Sequence, residues 1–221
     1  MPRISLVACH KRYFIKMEHD HRTGNAGSCC IVNYGNESAG NIASCLGFLG
    51  IDYHIVPWEK TVSGEHICNS PFCIISGGPL RVCKRDNRYN LSKHIFGKRI
   101  LAICYGMQLL CWNAGGNVSH LEELQKGVYG KYAVQDNLHT QDVDRDAWWL
   151  NMEYIRREIG WYNRLDYVRS VPESVCILSL DTCGYISSCY IPEYDAYCVH
   201  NHPESPRCLD LELFREFFGI R

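Results

Sequence analysis

Apolar residues fall along this chain in two rhythms. Ile100 to Ile103 is an unbroken apolar run, the pattern of a strand buried on both faces in a parallel sheet. A Cys-Tyr-Gly corner follows it, and then Met107 to Ala114 reads as a helix that stops at Gly115-Gly116, a good helix terminator. Upstream the same alternation recurs. Cys30 to Tyr34 predicts a strand, Glu37 to Leu49 a helix with Ile42, Leu46 and Leu49 along one face, and Asp52 to Val56 and Phe72 to Ile75 two more strands. A helix is expected over Tyr89 to Phe96. Strand and helix in alternation predict a doubly wound, mostly parallel α/β sheet with helices on both faces, whose sites lie at the carboxyl ends of the strands.

The second half is less regular. Gly127 to Val134, Val175 to Leu180, Tyr185 to Ile191 and Ala196 to His200 read as strands, as in an antiparallel extension of the sheet or a meander beside it. Ala147 to Ile159 has helical spacing at Trp149, Met152, Ile155 and Ile159, and Leu209 to Phe218 predicts a closing amphipathic helix. Near the start, Ile4 to Cys9 suits a short strand, while His19 to Ser28 is polar and Gly-rich, as a loop would be. The expected division is therefore an arm or extra strand over residues 1–28 and one domain over 29–221.

Composition narrows the class. At 221 residues the chain can bury a full layered core. A formal net charge of −1 gives no general pull toward nucleic acid or anionic membrane. No apolar run approaches the roughly 20 residues that span a bilayer. Fourteen cysteines are scattered with no Cys-x-x-Cys pair, which argues against a zinc ribbon. With no export signal they read as mostly reduced thiols of a cytoplasmic protein. His10, His19 and His21 form no metal-like arrangement, and no cofactor is expected.

Cys104 occupies the corner between the apolar strand and its helix. There the first N–H groups and the helix dipole favour a thiolate and can bind a developing oxyanion. The local pattern is equally that of a buried thiol ending a core strand. Two further stretches bear on the choice. Ile75-Ser76-Gly77-Gly78-Pro79 ends a strand with adjacent glycines that let the backbone approach a ligand. His202-Pro203-Glu204 follows another strand and suits a Cys–His–acid relay. Taken singly, each is also an ordinary turn.

Together these motifs resemble the triad (class I) glutamine amidotransferases, and most of all the glutaminase domain of GMP synthetases. ICYGMQ is similar to that family's nucleophile elbow, SGGP to its oxyanion loop and HPE to its histidine–glutamate pair, in the family's order; Val32 to Asn36 is similar to its first strand and turn. The likeness covers roughly residues 29–218. It implies a flavodoxin-like fold, with Cys104 attacking the side-chain amide of glutamine. His202 would serve as base and then acid, with Glu204 behind it. The N–H groups of Gly78 and Tyr105 would hold the oxyanion, and Gln108 would help to hold the substrate.

Several departures accompany the likeness. Ala102 replaces the glycine usual two residues before the nucleophile, and His200-Asn201 stands where the family has Gln-Phe. Trp161 to Asp166, WYNRLD, occupies the place of the W-x-S-H-G-D block that positions the α-carboxylate and amine of glutamine, keeping only the tryptophan and Asp166. Arg164 is therefore a candidate to grip a substrate carboxylate, with a surface arginine as the other reading. Arg81, Lys84, Arg85 and Arg88 form a basic cluster, either a docking patch or a solvated loop, and Trp148-Trp149 is either packing or an interface. Three functions remain open: a glutaminase supplying ammonia to a separate synthetase chain, expected because no synthetase domain follows Arg221; a stand-alone hydrolase of γ-glutamyl amides; and a non-catalytic binding or regulatory relative.

Overall fold

The computed structural model describes residues 5–9, 12–16, 28–63, 69–82, 95–133 and 159–220. Near the start, β1 (Ser5–Cys9) pairs antiparallel with β2 (Arg12–Lys16) as a two-stranded sheet of its own. The strand expected at Ile4 to Cys9 is thus present, with a second one that the pattern did not announce.

The rest is organised by a nine-stranded mixed sheet. Its parallel half contains β4 (Tyr53–Pro57), β3 (Cys29–Asn33), β5 (Phe72–Ile75), β6 (Arg99–Ile103) and β11 (Ala196–Val199), in that spatial order. An antiparallel half continues from β11 through β10 (Ile186–Ile191), β9 (Cys176–Asp181), β7 (Asn117–Ala133) and β8 (Ile159–Ser170). The central parallel strands are apolar throughout because both faces are covered. Cys30, Val32, Ile100 and Ala102 point into one core with Met107, Leu109 and Leu110 of α3 (Tyr105–Asn113). Cys29, Ile31, Leu101 and Ile103 point into the other, against α1 (Ser38–Phe48) and α4 (Leu211–Phe218). Strand alternation feeding two helical layers is the doubly wound arrangement.

Some boundaries differ from the sequence expectation. A short helix, α2 (Trp58–Ser63), follows β4 directly. β7 begins ten residues before the expected Gly127, and its register with β8 shifts between His120 and Gln125. That stretch, Leu121-Glu122-Glu123-Leu124, lacks a clean two-residue alternation and lies between the registered pairs His120–Asp166 and Gln125–Arg164. Ile159, expected to end a helix, opens β8 instead. The remainder of that helix, most of the one expected at Tyr89 to Phe96, Val134, Trp148-Trp149, His10, His19, His21 and the basic residues Lys84, Arg85 and Arg88 lie outside the described residues.

Candidate active site

Cys104 sits between β6 and α3, with its N–H still donating to the Val199 carbonyl of β11 at 2.8 Å. The chain then reverses sharply, and Cys104 takes φ 51°, ψ −105°. A left-handed backbone at a residue bearing a side chain costs about 1–3 kcal/mol, and such strain persists only where the surroundings enforce it. Here β11 holds one side of the corner and α3 the other. Gly106 completes the corner, since a Cβ there would meet the Ile75 carbonyl oxygen at 2.5 Å. The thiol is nearly buried, 3.9 Å from the Asn163 carbonyl of β8.

His202 arrives just past β11, its N–H donating to the Trp161 carbonyl at 2.7 Å. Its Nδ1 lies 2.8 Å from Oε1 of Glu204, and its Nε2 is buried without a hydrogen-bond partner among the described residues. Burial alone would depress the imidazole's pKa, but the neighbouring Cys104 and Glu204 outweigh it and hold His202 well above the usual histidine range.

A residue that the sequence did not single out completes the arrangement. Ser38, at the start of α1, donates to Oε1 of Glu204 at 2.5 Å and accepts the Gly77 N–H at 3.3 Å. It therefore joins the acid of the relay to the Ser76-Gly77-Gly78 loop. The signal available was its place just after the Val32 to Asn36 turn. Ser76 ties the same loop down by accepting the Tyr34 N–H at 3.2 Å and donating to the Gly77 carbonyl at 2.8 Å. Neither glycine has room for a side chain: a Cβ on Gly77 would come within 2.9 Å of the His202 ring, and one on Gly78 within 2.7 Å of Tyr34. Tyr105 opens α3, where first-turn N–H groups have no intrahelical acceptor.

The residues expected to hold substrate are turned elsewhere. Gln108 is buried, its Nε2 donating to the Asp166 carbonyl at 3.0 Å and lying 3.0 Å from Nε2 of His200. Arg164 is not a surface arginine, and that reading is corrected. Its guanidinium is buried, pairs with Asp181, donates to Gln125 Oε1 at 2.7 Å and to His200 Nδ1 at 2.7 Å, and lies 4.6 Å from the Tyr162 ring centroid. Every edge of the fork is engaged inside the protein. Burial and the adjacent Arg164 push the His200 pKa well down, so His200 is the neutral acceptor in this pair. Asp166 accepts from, or pairs with, His120 Nδ1 at 2.7 Å, and His120 Nε2 lies 3.3 Å from Nη1 of Arg81.

Beside the relay opens a groove of about 290 Å³ whose lining includes Glu37, Lys126, Trp161, Asn163 and Arg207. A smaller cleft, lined by Ser38, His202 and Glu204, shares Glu37, Trp161 and Asn163 with it. No cluster of three or more His, Cys, Asp or Glu side chains that would hold a metal occurs among the described residues, and no described helix is long and apolar enough to cross a membrane.

The chain is similar to several known proteins. Curated relatives named GMP synthase [glutamine-hydrolyzing] include one from Petrotoga mobilis, 30% identical over 178 residues, and one from Pyrobaculum aerophilum, 30% identical over 176 residues. Each alignment takes in 79% of this chain and 32% of the relative, so the chain spans about a third of their length. Among solved structures, a putative GMP synthase subunit from Thermoplasma acidophilum superposes with a TM-score of 0.70 at 20% identity, over 90% of this chain and 95% of that one. A glutamine amidotransferase from Thermotoga maritima gives 0.60 at 13% identity, over 82% and 77%. These two likenesses show the flavodoxin-like fold of class I glutamine amidotransferases. The family model of the class-I glutamine amidotransferases matches residues 30–218, and the chain belongs to that family.

Proposed function

We propose that this chain is a cysteine-dependent glutaminase that releases ammonia from glutamine for a separate synthetase chain. The observation that carries the reading is the strained Cys104 corner with the His202–Glu204 pair beside it. Cys104 Sγ attacks the amide carbon, and the Gly78 and Tyr105 N–H groups receive the oxyanion, a contribution of about 3 kcal/mol per donor in such sites. His202 Nε2 hands its proton to the departing nitrogen, so the C–N bond breaks and ammonia leaves a thioester. Water, deprotonated by His202, then adds to the thioester and expels Cys104, releasing glutamate.

The separate partner is proposed from the Thermoplasma acidophilum relative, which is named as one subunit of a GMP synthase and which this chain covers almost completely. Cys45, Cys73, Cys104, Cys111, Cys189 and Cys198 are buried thiols outside any disulfide, in keeping with a cytoplasmic setting. A second reading, a hydrolase of larger γ-glutamyl amides, is favoured by one observation: Arg164 and Gln108 face the interior and not the groove.

The test is turnover of glutamine by the purified chain, with hydroxylamine present to trap the thioester as γ-glutamyl hydroxamate. Cys104→Ser and His202→Ala should each lower kcat by about 10⁴-fold or more, without additivity, because the two act as a unit. Glutaminase activity that survives in Cys104→Ser would overturn the assignment. A synthetase-like protein that co-purifies and raises turnover would favour the first reading over the second.

A further inference from the structure

The two N–H groups proposed to receive the oxyanion belong to different elements. Gly78 lies on the loop after β5, and Tyr105 opens α3. Such a donor is effective only when held about 2.7–3.1 Å from the developing charge, so the spacing of loop and helix has to be fixed. The entry of the loop is tied at Ser76 by the Tyr34 N–H and at Gly77 by Ser38. Its exit has a separate tie. Arg81 stands three residues past Gly78, and between them Pro79 brings a ring-fixed φ. Leu80 and Val82, on either side of Arg81, pack against the core that holds α3, while Arg81 itself is exposed. Its Nη1 lies 3.3 Å from Nε2 of His120, and Nδ1 of His120 lies 2.7 Å from Oδ1 of Asp166.

Donors and acceptors along this chain of side chains match in one way. An arginine N–H can only donate, so Nε2 of His120 accepts. The neutral ring then carries its proton on Nδ1 and donates it to Asp166. His120 and Asp166 are directly opposed across the β7–β8 ladder, which puts their side chains on one face. Asp166 is also where α3 is tied, since its carbonyl accepts from Gln108 Nε2 at 3.0 Å. The exit of the loop and the helix that follows Cys104 are therefore held by one residue of β8. We propose that Arg81 and His120 are positioning residues, which clamp the loop to Asp166 and so keep the Gly78 N–H in register with that of Tyr105. This rests on the glutaminase reading and adds two residues outside the Cys104–His202–Glu204 relay. Both act through the Gly78 N–H, so their effect falls on the charged tetrahedral state and not on the bound amide.

The experiment measures glutamine hydrolysis by the full chain, in steady state and as the single-turnover rate of thioester formation trapped with hydroxylamine. In Arg81→Ala and in His120→Leu, kcat and the acylation rate should each fall about fivefold, as for the loss of one hydrogen bond, with KM unchanged. The double variant should lose no more than either single one, because the two residues form one clamp. His120→Gln should recover most of the rate, since its amide can accept from Arg81 and donate to Asp166 as the neutral ring does. Nitrogen-15 NMR of the wild-type ring should show the proton on Nδ1. Both positions are exposed, so the variants are expected to fold, and melting temperatures check this. Additive losses, a rise in KM at unchanged kcat, no loss at all, or a neutral His120 ring protonated on Nε2 would overturn the clamp and leave the glutaminase reading intact. A wild-type chain that neither turns over glutamine nor yields γ-glutamyl hydroxamate would overturn both.

Discussion

The hydroxyl of Ser38 donates to Oε1 of Glu204 at 2.5 Å, the same oxygen that lies 2.8 Å from Nδ1 of His202. One carboxylate oxygen therefore fixes both the imidazole of the relay and, through the Gly77 N–H at 3.3 Å, the loop that carries Gly78. Two parts of the proposed site that are far apart in sequence share a single anchor at the first residue of α1.

Ser38→Ala should lower kcat by about tenfold, the loss of one hydrogen bond to a charged group. KM should move little, because Ser38 holds the relay and not the substrate, and Ser38→Thr should restore most of the rate. Steady-state kinetics of the two variants decides it. An unchanged kcat in Ser38→Ala would show that the Glu204 contact to His202 is sufficient alone.

The His202 imidazole should titrate well above 6.5, and its midpoint should fall in Glu204→Gln and in Cys104→Ser, because these are the two neighbours that raise it. Proton NMR of the ring reads this directly. The sign for stability follows from linkage: a histidine whose folded pKa exceeds its unfolded value stabilises the fold fully below about pH 6.5. That contribution is lost as pH rises through the folded value. Denaturant unfolding from pH 6 upward should show it, with a flatter profile in Glu204→Gln. A wild-type midpoint at or below 6.5 would contradict the geometry of the pair.

Arg164→Ala should act on stability before it acts on KM. Removing one member of a buried ion pair leaves Asp181 uncompensated, which costs about 3–5 kcal/mol. His200 also loses its donor. A large fall in melting temperature is expected, partly recovered in Arg164→Lys and not improved by raising substrate concentration. A steep rise in KM with an unchanged melting temperature would return Arg164 to the role that its sequence position suggested.

Much of the site was legible because its chemistry is carried by local motifs. An apolar run ending in Cys-Tyr-Gly can scarcely be anything but a buried strand turning into a helix, and the structure has that corner with Cys104 at positive φ. His202-Pro203-Glu204 is likewise a short-range unit whose two side chains meet within the same turn. The role of Ser38 was hidden because its partners, Glu204 and Gly77, come from other parts of the chain, and a serine at a helix start has an ordinary capping explanation.

What the sequence by itself determined was the alternation of buried strands and helices, the order of the motifs and the family to which they belong. These depend on periodicity and on residues close in the chain, which propensity and turn chemistry control directly. Which way Arg164 faces was decided only by tertiary structure. In a strand, direction is set by register, and a shift of one residue exchanges the two faces. The pairing of Gln125 with Arg164 and of Lys126 with Asn163 sends one cation into the core and leaves the other in the groove beside His202. Nothing within WYNRLD specifies that choice, because it is made by hydrogen bonds to a strand more than thirty residues earlier.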